Sequence, residues 1–298
     1  MNLTLSKRDL LAIQIAKDYE SKTNLEYSEI IKKKIGILLE LMESLVEEKI
    51  STDGWKGWSE SLIQKMSIHS VTLLDLFKGT FLPFGKDKKQ LLLFDKPSIL
   101  VLLRTILECY LTFYYLHIDE VTDEEKKFRL TVWRYAGLKQ RSKFVLTSNE
   151  AIQKQLNEKE LVDKLNNEIK ESMFITQFDS RDTKEIMSGR KPRLNHTWLS
   201  LVEKSGLRLN LFKNLYSYKS SYSHSEFVSI LQIKDGVLKF DKNEEVGYEL
   251  FLLHFIISKT IIDVMKLFPS IRGKYNELDE ELRIEIEIMT QIATGKTA

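Results

Sequence analysis

The scarcity of helix-breaking residues constrains the fold of this chain more than any other feature. Proline occurs 4 times and glycine 12 times in 298 residues, below their average usage of about 5% and 7%. Because tight turns depend largely on these two residues, the chain favours long helices with few turns between them. Ile31, Ile35, Leu38 and Met42 recur at helical spacing. The sequence therefore predicts an all-α, multi-helix bundle.

Capping patterns place three helix starts. Ser6-Lys-Arg-Asp and Thr122-Asp-Glu-Glu each set an acid three residues after a hydroxyl, the spacing of a capping box. Pro97 follows Asp95 closely, and proline is tolerated in a first helical turn because its missing N–H would have no partner there. We expect helices to begin near these positions.

Only one segment carries a strand signal. Asp235-Gly236 separates Ile230-Leu-Gln-Ile from Val237-Leu-Lys-Phe, and Asp-Gly between apolar runs is typical of a tight hairpin turn. We predict at most one small β-hairpin, near residues 229–241.

The chain has no convincing domain linker. Residues 79–96, with two glycines and one proline, predict a loop, but one too short to separate independent domains. We predict a single helical domain over residues 1–298. Within it, residues 1–80 could form an N-terminal helical subdomain and residues 95–298 the core.

Two apolar segments predict core helices, not membrane spans. Ser98–Ile118 contains Arg104 and Glu108, and Phe251–Phe268 contains charged residues that include Lys259 and Asp263. Charges are rare in membrane spans. The N-terminus lacks the apolar length and cleavage site of a signal peptide. We expect a cytoplasmic protein without a membrane partner.

Composition also narrows the chemistry. A formal net charge of +2 argues against a protein that coats nucleic acid over its whole surface, so such binding would need local patches. One cysteine, Cys109, cannot form an internal disulfide, and no metal-ligand spacing is present. No phosphate loop, His-Glu-x-x-His or Gly-x-Ser-x-Gly motif is found either. We expect no metal and no cofactor.

The first candidate site is Arg104 with Glu108. A spacing of four places both side chains on one helix face, close enough to pair. A charge within an apolar run must be matched or solvated, since burying it alone costs several kcal/mol. Two interpretations stay open: a buried ion pair that fixes helix register, or an arginine that Glu108 directs towards an anionic ligand.

The second candidate is the segment from Tyr216 to His224. On a helix, Ser217, Ser220, Ser221 and His224 would share one face of small residues that ends in an imidazole. Small residues allow a neighbouring backbone or a ligand to come close. The segment is typical either of tight helix packing around a hydrogen-bonded histidine, or of a pocket wall in which His224 moves a proton.

The third feature is local positive charge. Seven cations and no acid lie between Lys126 and Lys143, with Arg134 and Arg141 seven residues apart on one face. Five acids precede these cations. Acids at the start of a helix and bases at its end interact favourably with the helix dipole, so a solvent-exposed helix also explains this run. The loop with Arg190 and Arg193 is basic as well, and interleaved aromatic residues suit a phosphate backbone.

These motifs resemble those of a bacterial helical family of unassigned function. In that family an Arg-x-x-x-Glu helix is followed about a hundred residues later by a Tyr-x-x-x-Ser-x-x-x-His helix. Arg104-x-x-x-Glu108 and Tyr216-x-x-x-Ser220-x-x-x-His224 fit this order. The resemblance covers roughly Ser59 to Ile230.

The family is similar in plan to the HEPN superfamily, helical bundles that often act as RNases in toxin–antitoxin and phage-defence systems. HEPN nucleases use an Arg and a His with four to six residues between them, usually at a dimer interface. Here Lys219 stands five residues before His224, and the literal match from Arg190 to His196 contains Pro192. Arg104 is then the candidate replacement arginine.

The resemblance implies metal-independent RNA cleavage in antiviral defence. His224 and Arg104, with Glu108, would be catalytic. The substrate-binding residues would be Arg134, Arg141, Tyr216, Lys219, Ser220, Arg190 and Arg193. The alternative is a non-catalytic interaction or sensor subunit that binds a partner protein, nucleic acid or a small anion. RNA, a second copy or another protein are the expected partners.

Overall fold

A computed structural model describes residues 5–47, 54–213, 227–232 and 246–295 of the chain. In these residues helices make up nearly all the secondary structure, accompanied by one two-stranded sheet. The predicted all-α fold class is confirmed.

The elements follow one another along the chain and are labelled in that order. They are α1 (Lys7–Ser21), α2 (Asn24–Glu47), α3 (Ser59–Leu76), β1 (Thr80–Phe84), β2 (Lys89–Leu93), α4 (Lys96–Phe113), α5 (Asp123–Arg141), α6 (Asn149–Glu171), α7 (Ser180–Met187), α8 (Trp198–Lys204), α9 (Phe227–Gln232), α10 (Tyr248–Leu267), α11 (Arg272–Asn276) and α12 (Glu280–Thr294). Short 3-10 segments lie at Gly54–Lys56, Met173–Gln177 and Pro269–Ile271, a π segment at Tyr114–Ile118, and residues 209–213 are also helical.

The chain forms two compact units. The first unit comprises Met1–Ser51, Trp58–Tyr114 and Val202–Ala298, and the second comprises Thr52–Gly57 and Tyr115–Leu201. This division does not test the prediction of one domain over residues 1–298 with an N-terminal subdomain at residues 1–80, which stays a prediction.

The first unit is built around α10. This helix packs against α12, α2 and α4, and α3 packs along α4. Nearly all its side chains are buried, as expected for a helix that is apolar around its whole circumference. Its internal charges are matched: Lys259 Nζ lies 2.5 Å from Asp263 Oδ2, which also accepts a hydrogen bond from the Tyr110 hydroxyl at 3.1 Å. A buried carboxylate with two donors avoids the cost of isolation.

The predicted helix starts are confirmed. The Ser6 hydroxyl accepts from the backbone N–H of Asp9, and the Asp9 carboxylate accepts from the N–H of Ser6, a complete capping box. Asp95 accepts from the N–H of Ser98 at 3.0 Å at the start of α4. At α5, the Thr122 hydroxyl accepts from the N–H of Glu125 at 3.2 Å.

The hairpin lies elsewhere than predicted. β1 and β2 pair antiparallel, with Thr80 opposite Leu93 and Phe84 opposite Lys89, inside the segment expected to be a loop. Within the predicted hairpin of residues 229–241, residues 229–232 belong to α9, which corrects that part, and residues 233–241 lie outside the described part.

The second unit has a smaller core between α5 and α6. Phe128 and Val132 of α5 meet Leu165 and Ile169 of α6. Leu165 and Ile169 are the only buried side chains of α6, so most of this helix faces solvent. The Tyr135 hydroxyl donates to the carbonyl of Met187 at 2.7 Å and so ties α5 to the end of α7.

The segment Lys96–Ile118 has the length and mean hydropathy of a membrane span, but 67% of its most apolar window is buried inside the protein. The helix of a protein core meets both conditions, and this agrees with the predicted core role of α4.

Candidate functional site

The helix α4 has one half-open face in the first unit. Val101, Arg104, Thr105 and Glu108 lie three or four positions apart, and all are intermediate in exposure. The opposite face of α4, which includes Leu103, is buried. The polar pair therefore sits where α4 meets solvent.

Arg104 and Glu108 form the predicted ion pair. The Arg104 Nε donates to Glu108 Oε1 at 2.8 Å. The side chains keep 19% and 27% of their exposure, respectively. The pair is thus neither sealed in a dry interior nor fully solvated. A guanidinium in this position is oriented by its carboxylate and still reachable by an anion.

The partner helix of the predicted catalytic pair is not described. His224, Tyr216, Lys219 and Ser220 lie outside the described residues. Their placement on one face, and the distance from the His224 imidazole to the Arg104 guanidinium, stay predictions.

Arg134 and Arg141 lie on α5 in the second unit. Both are intermediate in exposure. Arg141 Nη2 forms an ion pair with Glu158 Oε1 of α6 at 3.0 Å. An exposed pair of this kind is worth less than about 1 kcal/mol. A phosphate could therefore compete with Glu158 for Arg141 at little cost.

The basic loop between α7 and α8 is held by turns and ion pairs. Gly189 has φ of +77° and its position faces the Lys139 side chain closely, so a larger residue would be strained there. Arg190 lies 3.8 Å from Glu185 and Lys191 lies 2.5 Å from Asp182. The Arg190-to-His196 stretch, which contains Pro192, is non-helical.

Arg193 makes the most distinctive contact of this loop. Its guanidinium lies 3.7 Å from the centre of the Trp198 ring. Arginine stacks well on an indole face, where the cation meets the negative ring quadrupole. The guanidinium covers one face of the Trp198 ring, and both residues are intermediate in exposure.

Sequence reasoning missed a buried polar cluster in the second unit. Arg129 is enclosed with its side chain 3% exposed, and it donates to Asp119 at 2.7 Å and to Glu125 at 2.6 Å. His117 stacks on Trp55 with ring centres 6.0 Å apart. Burial, and secondarily Lys126, lowers the pKa of His117 to about 3. The sequence does place Glu125 four residues before Arg129, a spacing that predicts an ion pair. The pair was missed because the whole run of charges was interpreted as the surface of a solvent-exposed helix.

A second missed cluster lies in the first unit. Lys34 is fully buried and hydrogen-bonds to Nε2 of His254, while its Nζ lies 2.5 Å from Glu285 Oε1. The Tyr27 hydroxyl lies 2.8 Å from His254 Nδ1. The signal in the sequence was a lysine on the apolar stripe of α2, but its partners are more than two hundred residues away.

No group of three or more His, Cys, Asp or Glu side chains that could hold a metal ion is found among the described residues. Cys109 is buried, and its thiol contacts the carbonyl oxygen of Leu62 at 3.1 Å. Burial raises the pKa of this thiol to about 11. A thiol with so high a pKa is a poor nucleophile near neutral pH.

Comparison with known sequences identifies the family of this chain. Residues 95–243 match a family described as a family of unknown function, DUF5677. The match spans half of the chain and includes every candidate site residue, but not Tyr27, Lys34, His254 or Glu285. No curated protein and no solved structure matches the chain. The chain belongs to the DUF5677 family of unknown function.

Proposed function

We propose that this protein is a metal-independent endoribonuclease of the HEPN-like helical type, acting in a bacterial toxin or phage-defence system. The observation that carries the proposal is the position of Arg104. It is held by Glu108 at 2.8 Å on the half-open face of α4 and keeps 19% of its exposure. An oriented, reachable guanidinium suits the stabilisation of charge on a phosphoryl group.

The proposed reaction divides the chemistry between two side chains. His224 takes the proton of a ribose 2′-hydroxyl, whose oxygen attacks the adjacent phosphorus. The 5′-oxygen of the next nucleotide leaves and is protonated, which gives a 2′,3′-cyclic phosphate and a 5′-hydroxyl. Arg104 stabilises the negative charge that develops on the phosphoryl oxygens. Ser220 and Tyr216 are proposed to orient the imidazole or the substrate.

The second unit supplies the proposed RNA contacts. Arg193 stacked on Trp198 offers a surface for an unpaired base. Arg134, Arg141 and Arg190 offer cations for phosphates, and Lys219 is proposed to act with them. The acids paired with Arg141 and Arg190 hold these side chains in place only weakly, so phosphate can take over both guanidinium groups.

Cleavage of end-labelled single-stranded RNA in the presence of EDTA tests the proposal. We expect His224→Ala and Arg104→Ala each to lower the rate at least about 100-fold, the usual loss when a charge-stabilising group is removed. Arg104→Lys keeps the charge but loses the planar geometry, and should still lose about tenfold or more. The melting temperature should stay close to that of the wild type.

Arg272→Ala is the matched control, because Arg272 is an exposed arginine of the same unit. It should cleave as the wild type does. Wild-type rates in both Arg104→Ala and His224→Ala would refute catalysis by this pair. Loss of folding in both would show that the pair is structural.

The alternative, a non-catalytic sensor or interaction subunit, predicts RNA binding without cleavage, or binding of another partner alone. Salt dependence separates these cases. RNA binding should weaken steeply with salt, and the Arg190→Ala/Arg193→Ala double variant should lower the slope of log affinity against log salt by roughly one to two. An apolar protein interface would hardly respond to salt.

A further inference from the structure

A cavity of about 610 Å³ opens in the first unit between α1, α2 and α12. It lies outside the stretch that matches the family, and none of the candidate nuclease residues lines it. Volumes of a few hundred cubic ångströms are typical of small-molecule sites. The cavity is therefore a separate place at which this protein can bind a ligand.

The lining combines an apolar wall with acidic groups. Leu11, Ile15, Ile30 and Leu282 supply the apolar part. Carboxylates outnumber lysines five to two. The five acids are Asp18, Asp279, Glu280, Glu281 and Glu285.

The cations at the exposed rim of the cavity are weak competitors for a ligand, whereas Glu285 already pairs with the buried Lys34. Lys7 lies 2.5 Å from Glu280, but its side chain is 52% exposed and that of Glu280 60%. Exposed pairs contribute little because water solvates both partners. Asp279 accepts no side-chain hydrogen bond at the start of α12. An ammonium group that enters the cavity would thus meet carboxylates that it can pair with at little cost.

The polar network beside the cavity fixes the direction of its hydrogen bonds. Burial lowers the pKa of Lys34 to about 8, although Glu285 opposes the shift, so Lys34 is mainly an ammonium at neutral pH. An ammonium donates only. His254 Nε2 must therefore accept the hydrogen bond from Lys34.

The hydrogen bond from Lys34 to His254 determines whether the Tyr27 hydroxyl donates to His254 or accepts from it. Burial, and then Lys34, lowers the pKa of His254 well below its ordinary value, so the ring is neutral and carries its single hydrogen on Nδ1. Nδ1 then donates to the Tyr27 oxygen at 2.8 Å. The hydroxyl hydrogen of Tyr27 is left without an acceptor among the described residues. Tyr27 is 1% exposed and lines the cavity, where a buried unused donor favours an incoming acceptor.

We propose that this cavity binds a small aliphatic amine that also carries an oxygen acceptor. Its ammonium group pairs with the rim carboxylates of Asp279, Glu280 and Glu281. Its oxygen accepts the hydrogen bond of the Tyr27 hydroxyl, and its methylene groups lie on Leu11, Ile15 and Leu282.

Three probes with the same four-carbon chain separate these contributions in calorimetric titrations of the full-length protein. N-acetylputrescine carries both groups, butylamine carries the ammonium alone, and N-butylacetamide carries the carbonyl alone. N-acetylputrescine should bind at least about tenfold more tightly than either of the others, as expected for one added charge-assisted or buried contact.

The variants assign each contact. Tyr27→Phe should reduce the advantage of N-acetylputrescine over butylamine to less than about twofold. Because Glu285 pairs with the buried Lys34, the Asp279→Asn/Glu281→Gln double variant tests the rim acids outside that network. It should weaken the binding of N-acetylputrescine at least about threefold and leave the binding of N-butylacetamide unchanged.

Glu277→Gln is the matched control, since Glu277 is an exposed acid close in sequence that does not line the cavity. It should bind all three probes as the wild type does. The proposal is overturned if no probe binds, if N-butylacetamide binds as well as N-acetylputrescine, or if the control and the cavity variants lose affinity equally. The nuclease proposal is independent of each of these outcomes.

Discussion

Two arginines of this protein look alike in sequence and differ in structure. Arg104 and Arg129 each lie four residues from a glutamate on a helix. Arg129 is 3% exposed, donates to Glu125, Asp119 and the carbonyl of Tyr115, and its guanidinium lies 4.6 Å from the Tyr115 ring centre. Arg104 donates to Glu108 through Nε, and its side chain is 19% exposed.

The contrast shows what the spacing does and does not determine. A spacing of four brings the two side chains together in both helices. The surroundings then decide the role. In the second unit the guanidinium is enclosed and every side of it is engaged, which is typical of a group that holds the fold. In the first unit the pair faces solvent, where a ligand can reach it.

Replacing each arginine by alanine should give the largest difference. Arg129→Ala leaves the buried carboxylate of Asp119 without its partner, and breaking a buried pair costs about 3–5 kcal/mol. Arg104→Ala should cost less than about 1 kcal/mol, because the pair is partly solvated. Urea unfolding followed by circular dichroism measures both. Equal losses would remove the distinction between the two arginines.

Acid should weaken the cluster around Arg129 through His117. The folded pKa of His117, about 3, lies below its unfolded value of about 6.5. Between these values the unfolded chain binds a proton that the folded chain does not, so stability falls as the pH drops below 6.5, by about 1.4 kcal/mol per unit from this group. The loss reaches roughly 2–3 kcal/mol near pH 4.5.

The variant His117→Phe tests this assignment. Between pH 6.5 and pH 4.5, this variant should lose roughly 2–3 kcal/mol less unfolding free energy than the wild type. His69→Phe on α3 is the comparison variant: burial, and secondarily Lys65, lowers the pKa of His69 as well, but this side chain is only intermediate in exposure, so its removal should change the slope less. An unchanged slope in His117→Phe would mean that His117 is protonated in the folded protein.

Replacing Glu125 and Glu108, the partners of the two arginines, should give the smallest difference in stability. Glu125→Gln should destabilise the protein by about 1 kcal/mol, because Glu125 accepts two bonds from a buried charge but is itself 30% exposed. Glu108→Gln should change stability by less than about 0.5 kcal/mol. Thermal unfolding of both variants at one pH measures the difference. A larger loss in Glu108→Gln would show that Arg104 is mainly structural.

Much of the fold was predictable because its signals are local. Capping by Ser6, Asp95 and Thr122 depends on neighbours within three residues, and the pairing of Arg104 with Glu108 depends on a neighbour four residues away. The apolar character of α10 predicted a buried helix for the same reason. These features need no knowledge of distant parts of the chain.

The rest depended on contacts that a local pattern does not contain. Lys34 meets His254 and Glu285 only because α2, α10 and α12 pack together. The hairpin at Thr80–Phe84 and Lys89–Leu93 has no tight two-residue turn signal, and Pro83 within β1 argued against a strand. Its side chains are mostly exposed, so no alternation of buried and exposed positions marked it.

The packing of α4 has a practical consequence for work on the DUF5677 family. The matched stretch begins at residue 95, yet α4 is covered by α3, which precedes it, and by α10, which follows the match. A fragment cut at the family boundaries would present Leu103, Leu107 and Tyr110 to water and would be prone to precipitate. Recombinant versions of this protein should therefore keep the flanking helices.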